Sequence, residues 1–161
     1  NEGQVRAMGR TARGVRGINL ATNHKLIALI VPTEGGRILT VTENGYGKRT
    51  ENAEFPAKGR GGKGVIAMST SERNGSLVGA VQVWDGDEMM LISNQGTAVR
   101  TRVDEVSLLG RNTQGVRVIR TRDGEALVSV SRIAEDDDAA EPAQPVVTNE
   151  YSDSGSNETE E

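Results

Sequence analysis

A segment of about 50 residues recurs along this chain, and this periodicity restricts the possible folds more than any other feature. Three stretches share the pattern Gly-Arg-x-x-[Arg/Lys/Gln]-Gly-Val, and they begin 50 and then 51 residues apart. We call them the first, second and third boxes, and they span Gly9–Val15, Gly59–Val65 and Gly110–Val116. Similarity at a fixed period of this length is typical of propellers and solenoids.

The segments between the boxes carry β-strand signals. Short runs rich in β-branched residues, bounded by Gly, Asn or Asp, predict strands, and no segment has a long helical period. The predicted strands are KLIALIV (25–31), RILTVTE (37–43), VIAM (65–68), LVGAVQVW (77–84), EMMLIS (88–93), TAVRTRV (97–103), VRVIRT (116–121) and ALVSVSRI (126–133). The pairs Asn74-Gly75, Asp85-Gly86 and Asp123-Gly124 predict hairpin turns.

About four strands in each 50-residue unit correspond to one propeller-type blade. We therefore predict an all-β, propeller-like fold over residues 1–134, with roughly 2.5–3 four-stranded blades. The chain has only four aromatic residues, so its core must be aliphatic. Asn1 is not a natural start, and we expect the chain to be a fragment of a longer protein.

The charges divide the chain into a basic body and an acidic tail. Residues 135–161 contain ten acidic residues and no Lys or Arg, whereas residues 1–134 hold all 19 cations and 13 acids, a net charge of +6. A tail of this composition is expected to be disordered. It is either a solvated terminus or a competitor for an anionic ligand. The basic body indicates a polyanion partner, or simply a soluble surface.

Several chemical functions lack the residues they need. The second box matches G-x-G-x-x-G, but that fingerprint requires a preceding strand and a following helix. Lys63 is followed by Gly64, so a phosphate-binding P-loop lacks its Ser or Thr. His24 is the only histidine, there is no cysteine, and no apolar run approaches the length of a membrane helix. We predict no catalytic residue, no metal site, no cofactor in this fragment and no membrane partner.

Cations on a glycine frame suit phosphate binding, because glycine permits close approach and exposed N–H groups attract anions. The few aromatics disfavour stacking on single strands, so duplex DNA held by its phosphates is the predicted ligand. The alternatives are that the glycines only turn a corner and the arginines pair internally, or that the chain is a protein-interaction module. The candidate DNA contacts are Arg10, Arg13, Lys48, Arg49, Lys58, Arg60, Lys63, Arg100, Arg102 and Arg111.

The segment Lys58–Gly64 resembles the box Q-[R/K]-R-G-G-K-G of the C-terminal domain of the DNA gyrase A protein. Five of its seven positions match, and Lys58 and Gly59 depart. The phrases VRAMGR, NGYGKRT, SERNG, VGAVQVW and GRNTQGV are also similar to proteobacterial members of that family. The resemblance covers residues 1–134.

The resemblance implies a β-pinwheel that wraps duplex DNA around a basic rim, within an ATP-dependent type II topoisomerase that introduces negative supercoils. It implies that ATP and Mg²⁺ are used elsewhere in the intact complex, so this fragment is not itself an enzyme. The implied partners are the rest of gyrase A, as a homodimer, and gyrase B in a heterotetramer, in the bacterial cytoplasm on the chromosome. Because the second box lies near the end of the chain, it resembles a degenerate copy. The equivalent domain of topoisomerase IV is the alternative within the family.

Overall fold

The computed structural model describes residues 2–134, which contain two antiparallel β-sheets, long irregular loops and no α-helix. Three short 3-10 turns lie at Glu2–Gln4, Asn52–Glu54 and Val103–Glu105. In chain order the strands are β1 (Arg37–Thr42), β2 (Tyr46–Glu51), β3 (Leu77–Val83), β4 (Glu88–Ser93), β5 (Ala98–Arg102), β6 (Val116–Arg117) and β7 (Leu127–Ile133). The all-β prediction is confirmed, and the predicted tail of residues 135–161 lies outside the described residues.

Each sheet combines strands that are distant in sequence. The first sheet has the order β3-β1-β2-β6 and the second has the order β5-β4-β7. Strand β6 begins at Val116, the last residue of the third box, and it pairs with β2 through Tyr46 opposite Arg117 and Gly47 opposite Val116. The fourth strand of the first sheet therefore comes from the next repeat. Among residues 2–134, no strand pairs with the outer edge of β5.

The predicted hairpin turn at Asp85-Gly86 is wrong. It joins β3 to β4, and these strands belong to different sheets, so the turn carries the chain from one sheet to the other. The paired strands are instead joined by two other turns, at Asn44-Gly45 between β1 and β2 and at Gln95-Gly96 between β4 and β5. The hairpin turns predicted at 74–75 and 123–124 are also wrong, because these turns precede β3 and β7 without joining paired strands.

The core is aliphatic and lies between the two sheets. Strand β3 packs against β7, and a Cβ atom at Gly79 would lie 2.5 Å from Cγ1 of Val130, so a side chain at this position would force the sheets apart. Strand β1 is central, and its last four residues are all buried because both faces of the strand are covered. The buried cluster consists of Leu39, Val41, Val83, Met89, Leu91, Val103, Val106, Leu127 and Val130.

Two predicted strands, at 25–31 and 65–68, are wrong, and the strand predicted at 116–121 is reduced to Val116–Arg117. Residues 26–32 occupy the repeat position of β3, 51 residues earlier, and have the same β-prone composition. Strand β3 forms because β1 lies beside it, whereas among residues 2–134 no strand lies beside 26–32. The apolar side chains of this segment are consequently exposed, with 68% of Leu26 and 88% of Leu29 accessible to solvent.

A buried carboxylate, Glu125, fixes the turn that leads into β7. The Ser93 hydroxyl donates to Glu125 Oε1 at 2.6 Å, and the Arg122 backbone N–H donates to Oε2 at 3.0 Å. Hydrogen bonds from Ser93, then Thr97, then the Arg122 backbone lower the pKa of Glu125 from 4.5 to about 2. These bonds favour the charged form, so protonation in the folded state works against folding.

The substitution Glu125→Gln is expected to remove a pH-dependent part of the stability. Because the pKa is depressed in the folded state, this contribution is fully present above pH 4.5 and is lost as the pH falls towards 2. Urea unfolding should therefore show a stability gap between parent and variant at pH 7 that narrows across this window. The control replaces the exposed Glu34 by Gln. This control variant should not show the pH-dependent stability gap expected for the Glu125 variant. An equal gap at pH 7 and pH 2 would contradict this role of Glu125.

Candidate nucleic-acid interface

All three boxes are loops, and the last glycine of each has the same left-handed backbone. The φ angles are 79° at Gly14, 75° at Gly64 and 76° at Gly115. Residues with a Cβ atom rarely adopt this region, which explains why glycine recurs there. Gly61 also has a positive φ of 78°, whereas Thr11 and Asn112 in the sister boxes do not. The glycine frame therefore turns the chain at equivalent places in each repeat.

The arginine of the second box contacts the repeat that precedes it. The Arg60 backbone N–H donates to Gln4 Oε1 at 3.0 Å, and its Nε donates to the Gln4 carbonyl at 3.1 Å. Its Nη1 donates to the Arg16 carbonyl at 3.3 Å. These bonds join the second box to the segments that flank the first box.

The arginine of the third box makes the same three bonds one repeat later. The Arg111 backbone N–H donates to Glu54 Oε2 at 2.7 Å, and its Nε donates to the Glu54 carbonyl at 3.0 Å. Its Nη1 donates to the Ile66 carbonyl at 2.6 Å. Gln4 and Glu54 are 50 residues apart, as are Arg16 and Ile66. The bonding pattern therefore repeats with the sequence.

A backbone bond completes this inter-box pattern. The Asn19 N–H donates to the Gly62 carbonyl at 2.9 Å, and the Ser69 N–H donates to the Thr113 carbonyl at 3.0 Å. The second and third boxes are thus each tied to the preceding repeat by four equivalent hydrogen bonds, which we call the inter-box bonds. For Arg60 and Arg111, these bonds agree with the alternative that the arginines of the boxes pair inside the protein. Three of the five N–H groups on each guanidinium are not used by these bonds.

The structure gives Lys48 a role other than the predicted DNA contact. Its side chain is fully buried, and its ammonium donates to the carbonyls of Gly110, Arg111 and Thr113 at 2.8, 2.5 and 3.2 Å. Burial lowers the pKa of Lys48, while the Glu54 carboxylate raises it. Lys48 therefore holds the third box against β2, and its ammonium does not reach a phosphate outside the protein.

Arg49 is likewise engaged inside the protein. Its Nη1 lies 2.9 Å from Asp85 Oδ1 and 3.4 Å from Asp104 Oδ1, and its Nε donates to the Val106 carbonyl at 2.8 Å. The guanidinium is therefore neutralised by two carboxylates. The predicted phosphate contact at this position would have to compete with both.

The two predicted cations on β5 also face carboxylates. Arg100 Nε forms an ion pair with Glu88, and Arg102 Nη2 lies 3.3 Å from Asp104 Oδ2. Both arginines are exposed, so these pairs are screened by solvent and contribute little to stability. They nevertheless reduce the positive potential that Arg100 and Arg102 present to a polyanion.

Four of the ten predicted contacts remain available to an external anion. They are exposed, and within residues 2–134 no ion pair or side-chain hydrogen bond engages them. Two belong to the first box and two to the second box or the position before it, so they lie on the glycine loops that the inter-box bonds hold in order. The four residues, which we call the box cations, are Arg10, Arg13, Lys58 and Lys63.

Among the exposed arginines that sequence reasoning did not select, Arg73 and Arg117 lie close together. Both contact Tyr46, and within residues 2–134 neither guanidinium has a carboxylate within 4.0 Å. Arg117 recurs at Arg16 two repeats earlier, since each follows the last Gly-Val of its box, and this recurrence was a signal in the sequence. For Arg73, the only signal was an uncompensated Arg beside a predicted turn.

Residues 2–134 contain neither a cluster of metal ligands nor a membrane-spanning helix. Across residues 2–134, no group of three or more His, Cys, Asp or Glu side chains is arranged to hold a metal ion. No helix in the same range is long and apolar enough to cross a membrane. His24 is exposed.

Comparison with known proteins identifies the repeat. The family model of the DNA gyrase C-terminal domain, beta-propeller, matches three successive segments, residues 1–33, 36–83 and 87–134. A solved DNA gyrase A C-terminal domain superposes with a TM-score of 0.74 at 32% identity, over 81% of this chain and 45% of that one. The C-terminal domain of a DNA topoisomerase IV has the same fold, with a TM-score of 0.77 at 22% identity over 85% of this chain and 43% of that one.

Curated relatives of this chain are also DNA gyrase A proteins. The DNA gyrase A protein of Pseudomonas aeruginosa is 59% identical over 134 residues, which is 83% of this chain and 14% of that protein. The DNA gyrase A protein of Escherichia coli K12 is 57% identical over 83% of this chain and 15% of that protein. This chain thus spans about one seventh of the length of these relatives. On the strength of the three matched segments, the chain belongs to the DNA gyrase C-terminal domain family of beta-propellers.

Proposed function

We propose that this chain binds duplex DNA through phosphate contacts, without sequence preference. The observation that carries the proposal is the set of four exposed box cations on loops that the inter-box bonds hold in order. Lys and Arg that neutralise phosphates release condensed counterions, and this supplies affinity that does not depend on base sequence. The gyrase family of the chain supports the same ligand.

We further propose that the chain bends or wraps DNA as part of a type II topoisomerase, a DNA gyrase, and so supports negative supercoiling. In this proposal the fragment carries no catalytic residue or cofactor, and ATP and Mg²⁺ act elsewhere in the complex. Its partners are the rest of gyrase A in a homodimer and gyrase B in the heterotetramer, in the bacterial cytoplasm on the chromosome. The names of the relatives support this assignment.

Affinity for duplex DNA is expected to fall steeply with salt. If each of the four box cations contacts one phosphate, the slope of log K against log salt is about −3.6. Fluorescence anisotropy with labelled duplexes of about 40 bp and unrelated sequence, between about 50 and 300 mM salt, measures this slope. Equal binding of all sequences is expected. A slope near zero, or strong preference for one sequence, would rule out the proposal.

We also propose that the acidic residues 135–161 compete with DNA for the basic surface. Their ten carboxylates and absence of cations support this. Deleting them should raise DNA affinity at low salt, and the difference should shrink as salt screens the competition. Identical affinities at low salt would leave the tail without this role.

Protein docking is a second candidate, favoured by one observation. Leu26, Leu29 and Val31 expose 68%, 88% and 80% of their surface in one short segment, and exposed apolar clusters mark interaction surfaces. A heparin column separates the two candidates, because a polyanion-binding surface retains the chain until salt elutes it. Flow-through at low salt would favour docking alone.

A further inference from the structure

A buried tyrosine lies between two arginines at the edge of the first sheet. Tyr46 is only 4% exposed. Arg117 Nη2 donates to the Tyr46 hydroxyl oxygen at 2.8 Å, and Arg73 Nε donates to the same oxygen at 3.3 Å. The two guanidinium carbons lie 5.3 and 5.1 Å from the centre of the ring. We call these residues the Arg–Tyr–Arg cluster.

The backbone fixes all three members. Arg117 pairs directly with Tyr46 across the β2–β6 ladder. Asn44 Nδ2 donates to the Arg73 carbonyl at 3.3 Å and so holds the turn that carries Arg73. Asn74 Nδ2 donates to the Gln114 carbonyl at 3.2 Å and links that turn to the strand of Arg117. The two guanidiniums are therefore held near each other before any ligand binds.

The cluster carries two positive charges that the protein does not neutralise. Within residues 2–134, neither arginine has a carboxylate within 4.0 Å. By contrast, Arg37 is paired with Glu51 and Asp85. The guanidiniums of Arg117 and then Arg73 lower the pKa of the Tyr46 phenol, which reflects the positive field at this point. Two like charges held this close favour an anion between them.

The chemistry of the free donors selects the anion. Each guanidinium has five N–H groups and uses one on Tyr46, so eight remain. Planar forks of N–H donors match the paired oxygens of a phosphate. We propose that Arg73 and Arg117 together bind a DNA backbone phosphate, and that Tyr46 positions both side chains for it. This inference rests on the proposed function and adds a contact point outside the boxes.

The cluster belongs to one blade and does not recur. In the next repeat, Thr97 occupies the position of Tyr46, so the phenol oxygen that joins the two arginines has no equivalent there. One repeat earlier than Arg117 stands Ile66. The second sheet therefore lacks the tyrosine on which the two arginines of the first sheet meet.

The first test measures duplex binding by the full chain with Arg73→Gln and Arg117→Gln combined. We expect an affinity loss of about tenfold or more at about 0.1 M salt and a salt slope smaller by about 1, as expected for the loss of one phosphate contact. The charge-matched control replaces Arg102 and Arg122 by Gln. These two arginines already lie near the carboxylates of Asp104 and Glu125. Equal losses in the two double variants would overturn the proposal.

A second variant separates positioning from charge. Tyr46→Phe keeps the ring and the net charge but removes the oxygen that both arginines contact. We expect affinity to fall about two- to fivefold, with an unchanged thermal midpoint. An unchanged affinity would show that Tyr46 does not position the arginines for DNA.

The third measurement needs no variant. The Nε–H resonances of Arg73 and Arg117 are followed by NMR in the full chain as duplex DNA is added. Large shifts at both, with smaller shifts at Arg37, are expected. Tight binding of DNA by the chain without shifts at Arg73 and Arg117 would reject this inference and leave the proposed function standing. Failure of the unmodified chain to bind duplex DNA would reject both.

Discussion

Replacing Lys48 by Met is expected to lower the free energy of unfolding by at least about 2 kcal/mol. The buried ammonium is the partner of three carbonyls of the third box and of the Thr113 hydroxyl. Met keeps most of the volume of the side chain but donates no hydrogen bond, so the Arg111 carbonyl loses its donor, while the Gly110 and Thr113 carbonyls keep only those from Thr113 and Ser69. Each unsatisfied buried group costs about 1–3 kcal/mol.

Urea unfolding at pH 7 measures this loss, and the exposed Lys25, replaced by Met, is the control for removal of one charge. The Lys48 variant should also loosen the third box, which native-state hydrogen exchange at the Thr113 and Val118 amides detects. A loss no larger than that of the Lys25 variant would mean that water satisfies the three carbonyls equally well.

Replacing the four box cations by Gln is expected to weaken duplex binding by about two orders of magnitude at about 0.1 M salt. Four lost phosphate contacts also reduce the salt slope by about 3 to 4. The substituted side chains are exposed and make no ion pair or side-chain hydrogen bond within residues 2–134, so the thermal midpoint should not change. Anisotropy titrations at several salt concentrations measure both quantities.

The comparison that isolates the box uses two double variants of equal charge. Lys58 and Lys63 are replaced in one, and Arg100 and Arg102, which face carboxylates, are replaced in the other. The first is expected to weaken binding more than the second. If the two double variants lose the same affinity for duplex DNA, net charge alone explains binding, and the box lysines make no specific contribution.

The repeat was visible in the sequence, and it correctly predicted both the fold and the equivalence of the boxes. Periodicity identifies equivalent positions, but it does not reveal what each side chain contacts. Arg111 was predicted to contact DNA, yet its nearest partners, Glu54 and Ile66, belong to the preceding repeat. The contact that neutralises Arg49 comes from Asp85, on the turn between the two sheets. Such partners become evident only when the sheets are assembled.

Lys48 illustrates the same point more sharply. In sequence, Lys48-Arg49-Thr50 and Arg100-Thr101-Arg102 are similar basic segments that follow a polar turn. In the structure, Lys48 is equivalent to Val99, and each lies on the second strand of its hairpin. A lysine is buried there because the third box covers it with carbonyl groups. Composition alone assigns a lysine to the surface, since lysine is almost never fully buried without partners.

In the proposed complex with bent DNA, the inter-box bonds would decide which part of the protein resists the stiffness of the DNA. Bending a site of about 20–30 bp smoothly by about 40–90° costs about 1–6 kcal/mol, and bent DNA pushes outward on every point that holds it. The box cations transmit that force to the loops, and the loops are joined to one another through Arg60 and Arg111. The curvature that this surface can impose is therefore limited by a few hydrogen bonds between repeats, and not by the number of its positive charges.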